Sequence, residues 1–326
     1  MRMFKLSSFL QAKVNFIFYS LFGWGFVKLY MFFLCKFYFF IKKDEKNTIK
    51  KSVYDAIGWI NREKDLSNVI RGVFSGIFSH YYEKIFAAFE NKKKVTDFLY
   101  NHVSFEDISV IKKSLLKGKG VILITGHYGA IEYIPLLLAI NNIKISIIAK
   151  FKTPQLRKMA FEQAYNFGVR MIDGADNGNV LKHAINELKE NRVLITQCDE
   201  IDEWRTSDKK KTTFLGQVTG LDRTINLLHK RTGAEVVFGV LHRFNLKRYT
   251  FVAYSYEQMI EMIRYTPSVT AGEVVLKVLE QLIYKYPDQW YEWKKYSQIC
   301  SSGLSDGRRE EKIHRPLLQP LLERHV

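Results

Sequence analysis

Cysteine is scarce in this chain: Cys35, Cys198 and Cys300 are the three in 326 residues. Set far apart, they offer neither a metal-binding pattern nor a disulfide framework, which suits a reducing compartment. A long unbroken apolar run is missing too. Near the N-terminus the longest stretch without a charge, Val14 to Val27, is shorter than the roughly 20 residues of a clean spanning helix. The H-E-x-x-H spacing of zinc proteases, the G-x-S-x-G elbow of serine hydrolases and the phosphate-binding P-loop are all absent. Zinc therefore has no support, and no cofactor is expected. The missing nucleophile points to direct transfer from a bound donor, without a covalent enzyme intermediate. Acidic residues are outnumbered, 33 against 50 Lys and Arg, for a net charge of +17. Such a surplus favours an anionic partner, although a dispersed, solvated basic surface is the plainer reading.

Aromatic residues are abundant, with 24 Phe and 18 Tyr, so the chain has ample material for a core. Many crowd the N-terminus, where VNFIFYSLFGWGFVKLYMFFLCKFYFFI runs from Val14 to Ile41 with Lys28 and Lys36 as its charges. Eight residues apart, those lysines fall on roughly one side of a helix. That predicts a membrane-associated helix lying in the interface with its lysines snorkelling to headgroups, a tilted span being the alternative. A signal peptide is disfavoured, because KKDEKN follows where a small-residue cleavage site would stand. No nucleic-acid recognition motif accompanies the positive charge.

After a polar break at Lys42 to Lys51, the stretch Ser52 to His102 reads as helices, with Val69, Val73, Ile77, Tyr81, Ile85 and Phe89 at helical spacing. Beyond Phe105 short apolar strands alternate with amphipathic helices: VILIT, KISIIA, VRMI, RVLITQ and AEVVFGVLH are strands, and RYTFVAYSY is expected to pair with the last as a hairpin. The expected fold is α/β, a mostly parallel central sheet flanked by helices, with the membrane-associated helix at its N-terminus. The organisation divides into an anchor (1–45), a helical layer (46–104), an α/β domain (105–300) and a charged tail (301–326).

In such sheets ligands gather at the carboxyl ends of strands. There the chain reads GHYGAIE, residues Gly126 to Glu132, directly after VILIT. Gly126 and Gly129 allow a tight turn and close backbone approach. Residues five apart on a regular helix point about 140° from each other. His127 and Glu132 therefore meet only if His127 lies in the turn and Glu132 on the first helical turn. A carboxylate on one imidazole nitrogen would fix the tautomer and stabilise the imidazolium, leaving the other nitrogen to take a proton from a hydroxyl. The plainer alternative is a capping histidine and a surface glutamate favoured by the helix dipole. Asp199 ends another strand and can face the same cleft or cap a loop. Arg223, at a helix start against the dipole, suggests phosphate binding or a salt bridge with Asp222. Lys209, Lys210 and Lys211 suit headgroups or a solvated loop. Trp290 and Trp293 read as packing residues, and His80, His102, His183, His229 and His242 suggest no pairing.

GVILITGHYGAIEYIP resembles the first signature of the lipid A biosynthesis (lauroyl/myristoyl) acyltransferases, within the wider H-x4-D/E glycerolipid acyltransferases. LKHAINELKENRVLITQCDE, TTFLGQVTGLDRTINLLHKRTGAEVVFGVLHR and YPDQWYEWKKY are similar to later signatures, in the same order, from about Lys117 to Tyr296. The resemblance implies a membrane-bound O-acyltransferase. His127 would be the general base and Glu132 its orienting partner. Gly126, Gly129, Lys150, Asp199 and Arg223 would lie in the substrate site. The donor would be an acyl thioester of acyl carrier protein, the acceptor an anionic phosphoglycolipid, and the oxyanion donors backbone N–H groups near Gly126 to Gly129 or a basic side chain. It implies the bacterial inner membrane, with the site on the cytoplasmic side. Two departures touch the substrates. AKFKTPQL stands where many members have Arg-Pro and then Asn-Pro, so Lys150 and Lys152 replace an arginine fork. Asp199-Glu200 stands where an Asp-Gln-like pair is usual. An acyl-CoA donor with a phospholipid or ornithine-type acceptor, and a non-catalytic lipid-binding relative, are the competing readings.

Overall fold

A computed structural model describes residues 17–19, 21–60, 63–150, 154–174, 179–200, 212–221, 223–263 and 269–304. Lys152, Lys209 to Lys211, Asp222 and the tail beyond Leu304 lie outside the described residues.

The N-terminal half opens with helices α1 (Trp24–Ile41), α2 (Lys43–Ile57), α3 (Glu63–Phe89) and α4 (Lys92–His102). The polar stretch after Ile41 is thus no break. Asp44 and Glu45 sit in the first turn of α2, where the helix dipole favours acids, and Ile49, Val53, Ala56 and Ile57 give it a buried stripe. Then follow β1 (Val103–Ser104), α5 (Ile108–Leu115), β2 (Val121–Thr125), a 3-10 turn (Ile131–Tyr133), α6 (Ile134–Ile140), β3 (Ile145–Ala149), α7 (Pro154–Phe167), β4 (Arg170–Asp173), α8 (Val180–Lys189) and β5 (Val193–Gln197). The remainder comprises β6 (Thr212–Phe214), β7 (Gln217–Thr219), α9 (Thr224–Thr232), β8 (Glu235–Asn245), β9 (Arg248–Tyr254), α10 (Tyr256–Ile263), α11 (Ala271–Lys285) and α12 (Trp293–Leu304).

The seven-stranded sheet has the order β1-β9-β8-β2-β5-β3-β4. Strands β8, β2, β5, β3 and β4 run parallel, while β9 pairs antiparallel with β8 as the expected hairpin and β1 runs parallel to β9. The fold is therefore the mixed α/β architecture read from the sequence. Strand β2 lies at the centre and is buried along its whole length, which is why VILIT is a continuous apolar run. Alternate residues feed two cores. Ile122, Ile124, Leu194 and Val236 face one that takes in Val27, Met31, Val73 and Trp293, and Val121, Leu123, Val193 and Val237 face one lined by Leu99, Ile111 and Leu137.

Helix α1 is long and apolar enough to cross a membrane by length and composition, with mean hydropathy 1.4. Val27, Met31, Cys35 and Tyr38 are buried against the protein, at spacings that mark one helical face. Phe26, Leu29, Phe33, Phe37 and Phe40 are exposed on the others, at 48 to 71%. Lys28 is exposed and Lys36 lies 4.4 Å from the Phe32 ring centroid, a cation–π contact.

Candidate active site

Parallel register builds the site. Strand β2 pairs with β5 so that Thr125 lies opposite Gln197, and Cys198 N–H extends the ladder to the Thr125 carbonyl at 2.9 Å. Two residues on from that pair, His127 and Asp199 meet at the carboxyl edge of the sheet. Imidazole Nδ1 lies 2.9 Å from Asp199 Oδ1, and the His127 backbone N–H donates to both carboxylate oxygens at 3.1 and 3.0 Å. Trp290 Nε1 donates to Asp199 Oδ2 at 2.7 Å. Asp199 is wholly buried, so its charge requires these donors. Burial alone would raise its pKa, but the His127 charge and the three donors hold it below the usual carboxylate value.

Nitrogen Nε2 of His127 faces Glu200 at 3.4 Å and Glu292 at 4.0 Å, and Lys295 Nζ lies 3.7 and 3.3 Å from the same two carboxylates. Burial opposes a charged imidazole; the charge and hydrogen bond of Asp199, helped by Glu292 and Glu200, overcome it and raise the pKa to about 9. Tyr291 closes one side. Its ring meets His127 edge-on at 5.4 Å and stacks on His80 at 3.5 Å, and its N–H donates to the His127 carbonyl at 3.2 Å.

Glu132 is not the imidazole's partner. Its Oε1 accepts from Lys84 Nζ of α3 at 2.7 Å. The reason is local backbone. Gly129 adopts φ +57°, and the residues after it form a 3-10 turn rather than a first α-turn, so the side chain at 132 is delivered to α3. Gly129 is also the closest approach in the turn: a Cβ there would stand 1.9 Å from the Leu241 carbonyl oxygen. At Gly126 a Cβ would meet Leu279 side-chain carbons at 2.5 Å, so its glycine serves packing against α11.

The N–H groups of residues 127 to 130 are occupied. His127 donates to Asp199, Tyr128 to the Gly126 carbonyl at 2.7 Å, Gly129 to the Gln289 carbonyl at 2.9 Å and Ala130 to the Leu241 carbonyl at 2.9 Å. Of the expected oxyanion donors near Gly126 to Gly129, those of His127, Tyr128 and Gly129 are thus engaged within the protein. Lys150 follows β3 at the same edge of the sheet, exposed. Arg223 precedes α9 and is also exposed; α9 leads back to the amino end of β8, which puts its own start at the carboxyl edge. Neither residue has a described contact with His127. Trp290, read as packing, is buried and also hydrogen-bonded to Asp199, a partnership that no local sequence signal announces. His242, for which no pairing was expected, lies 2.9 Å by Nδ1 from the Tyr128 hydroxyl.

A partly exposed histidine held by a buried carboxylate at a strand end can move a proton to or from a hydroxyl. Among the described residues no group of three His, Cys, Asp or Glu side chains is arranged to hold a metal ion. The family model described as bacterial lipid A biosynthesis acyltransferase matches residues 20–295. The chain belongs to that family. The match spans α1 through the start of α12, so this lipid A acyltransferase family accounts for the helical layer as well as the sheet, and its members transfer acyl groups to a lipid. No curated protein matches the chain.

Proposed function

We propose that this acyltransferase moves a fatty acyl chain from a thioester, carried by acyl carrier protein, to a hydroxyl of a phosphorylated glycolipid on the pathway to lipid A, with His127 as general base. The observation that carries the reading is the His127–Asp199 contact at 2.9 Å, beside an Nε2 that points away from Asp199. Asp199 holds the proton on Nδ1 and leaves Nε2 to accept one. The acceptor hydroxyl gives its proton to Nε2 while its oxygen attacks the thioester carbonyl carbon. The tetrahedral intermediate then expels the thiolate as the C–S bond breaks, and the imidazolium protonates it. Products are an ester and a free thiol, and the histidine is regenerated.

Asp199 is the main cause of the raised His127 pKa of about 9, and a substrate that separates Nε2 from Glu200 and Glu292 increases the neutral fraction that acts as base. With the N–H groups of residues 127 to 130 engaged, a basic side chain is our choice for stabilising the oxyanion: Lys84, held beside the turn by Glu132. Lys150 and Arg223 supply positive charge for phosphates at the rim, and Gly126 and Gly129 shape the turn. The exposed aromatic face of α1 would seat the enzyme in the bacterial inner membrane, with the site on the cytoplasmic side where acyl carrier protein is found. The second reading keeps the chemistry and changes the substrates, with acyl-CoA as donor and a phospholipid or ornithine-type lipid as acceptor, whose ammonium group would suit the Glu200 and Glu292 carboxylates around Nε2.

His127→Ala is expected to fold and to lose about 10²- to 10⁴-fold in turnover, the usual worth of a general base. Transfer of radiolabelled acyl chains from acyl carrier protein to membrane lipids measures it, and wild-type turnover by the folded variant would refute the mechanism. A lipid profile of cells lacking the protein identifies the acceptor by the mass of the missing chain.

A further inference from the structure

Arginine 243 lies 116 positions along the chain from the catalytic histidine (243 − 127), yet its side chain reaches the same turn. It projects from the end of β8 and is 6% exposed, and Glu83 of α3, its partner, is 0% exposed. The guanidinium grips the carboxylate with two bonds, Nε to Oε1 and Nη2 to Oε2, the latter at 2.7 Å. Nη2 donates a third, to the Gly129 carbonyl at 2.8 Å. The arginine's own backbone is pinned by one amide side chain: its N–H donates to Gln289 Oε1 and its carbonyl accepts from Gln289 Nε2, both at 3.1 Å. The Gln289 carbonyl in turn accepts the Gly129 N–H at 2.9 Å, and the next residue, Trp290, donates to Asp199.

Both polar groups of Gly129 are therefore held from outside the turn, one by Arg243 and one by the segment that carries the donor to Asp199. A buried ion pair adds little net stability, because desolvating two charges offsets their attraction. Geometry is what this one supplies. A planar fork grips both carboxylate oxygens from two nitrogens and still aims an N–H at a carbonyl, whereas an ammonium must make every contact from one atom on a flexible stem. We propose that Arg243, braced by Glu83, is a positioning residue of the transfer reaction: it fixes the Gly126–Ala130 turn so that His127 Nε2 is presented at the angle the acceptor hydroxyl requires. The proposal rests on the general-base reading of His127. It concerns the chemical step and not the recognition of either substrate.

The test compares full-length wild type, His127→Ala, Arg243→Lys and the double variant Glu83→Met/Arg243→Met. The donor is a dodecanoyl thioester of acyl carrier protein and the acceptor is the membrane lipid of the source cell. Arg243→Lys keeps a charge for Glu83 but loses the contact to the Gly129 carbonyl. The double methionine variant removes both charges together and is expected to melt at or above the wild-type temperature, as paired apolar replacements of buried ions often do. Both are expected to lose about 10- to 100-fold in kcat, the effect of misplacing a catalytic group by about an ångström, with KM for the donor unchanged. A folded Arg243→Lys or double variant with wild-type kcat, or one whose loss lies in KM, overturns the proposal. If the double variant does not fold, Arg243→Lys decides alone. Wild-type turnover by His127→Ala sinks the base reading instead, so the two failures are distinguishable.

Discussion

At the scale of the residue, two acids compete for the role of His127's partner, and their contacts assign different jobs. Asp199 touches Nδ1, accepts the His127 N–H and is anchored by Trp290, whereas Glu132 holds Lys84. The pH dependence separates them. On the general-base reading transfer needs neutral His127, so kcat/KM is expected to rise with pH through the imidazole pKa of about 9 in the unliganded protein. In Asp199→Asn the main stabiliser of the imidazolium is gone while burial still opposes the charge. The rising limb of kcat/KM is expected to move toward acid by about one unit or more, with a lower plateau. Glu132→Gln is expected to leave the limb in place and to lower the plateau through Lys84. An acid shift in Glu132→Gln, with none in Asp199→Asn, would reverse the assignment.

At the scale of the element, helix α1 is made of two faces with different tasks. Val27, Met31, Cys35 and Tyr38 bind it to the body of the protein, which keeps it from behaving as a free-standing span. The outward Phe33, Phe37 and Phe40 have no protein to cover them among the described residues and are exposed by 55 to 71%. Burying a phenylalanine is worth about 1.5–3 kcal/mol. Phe33→Lys/Phe37→Lys should therefore reduce flotation with phosphatidylethanolamine/phosphatidylglycerol vesicles by about tenfold or more while the protein stays folded. Unchanged flotation would remove α1 from the membrane. Helix α3 shows the same division of labour at the site. It offers His80, Glu83 and Lys84, at helical spacing, to Tyr291, Arg243 and Glu132. None of this was legible as function in a stretch whose apolar repeat reads simply as a helix, because each partner lies on a distant element.

At the scale of the whole molecule, the net charge of +17 is expected to act together with the apolar face of α1 if the protein binds a membrane surface. Binding to anionic vesicles is expected to weaken steeply between about 0.05 and 0.5 M salt, while binding to neutral vesicles changes little, because screening acts on the charge and not on the burial of phenylalanine. Equal salt dependence on both, measured by sedimentation, would contradict that division. The alternation of VILIT-like strands with amphipathic helices made the α/β sheet legible, since period and length report burial directly. The hairpin of β8 and β9 was legible as two adjacent strands with a short connection. Sequence by itself also pointed to His127 as a candidate, because a histidine between glycines at the end of a buried strand lies where ligands gather in such sheets. Strand order was decided only in three dimensions. Parallel pairing of β2 with β5 sets Thr125 against Gln197, and that register, not the five-residue spacing to Glu132, brings a carboxylate to His127. Local spacing can pair side chains only along one element, whereas the imidazole sits at the sheet's edge, where its neighbours come from strands and helices far away in the chain.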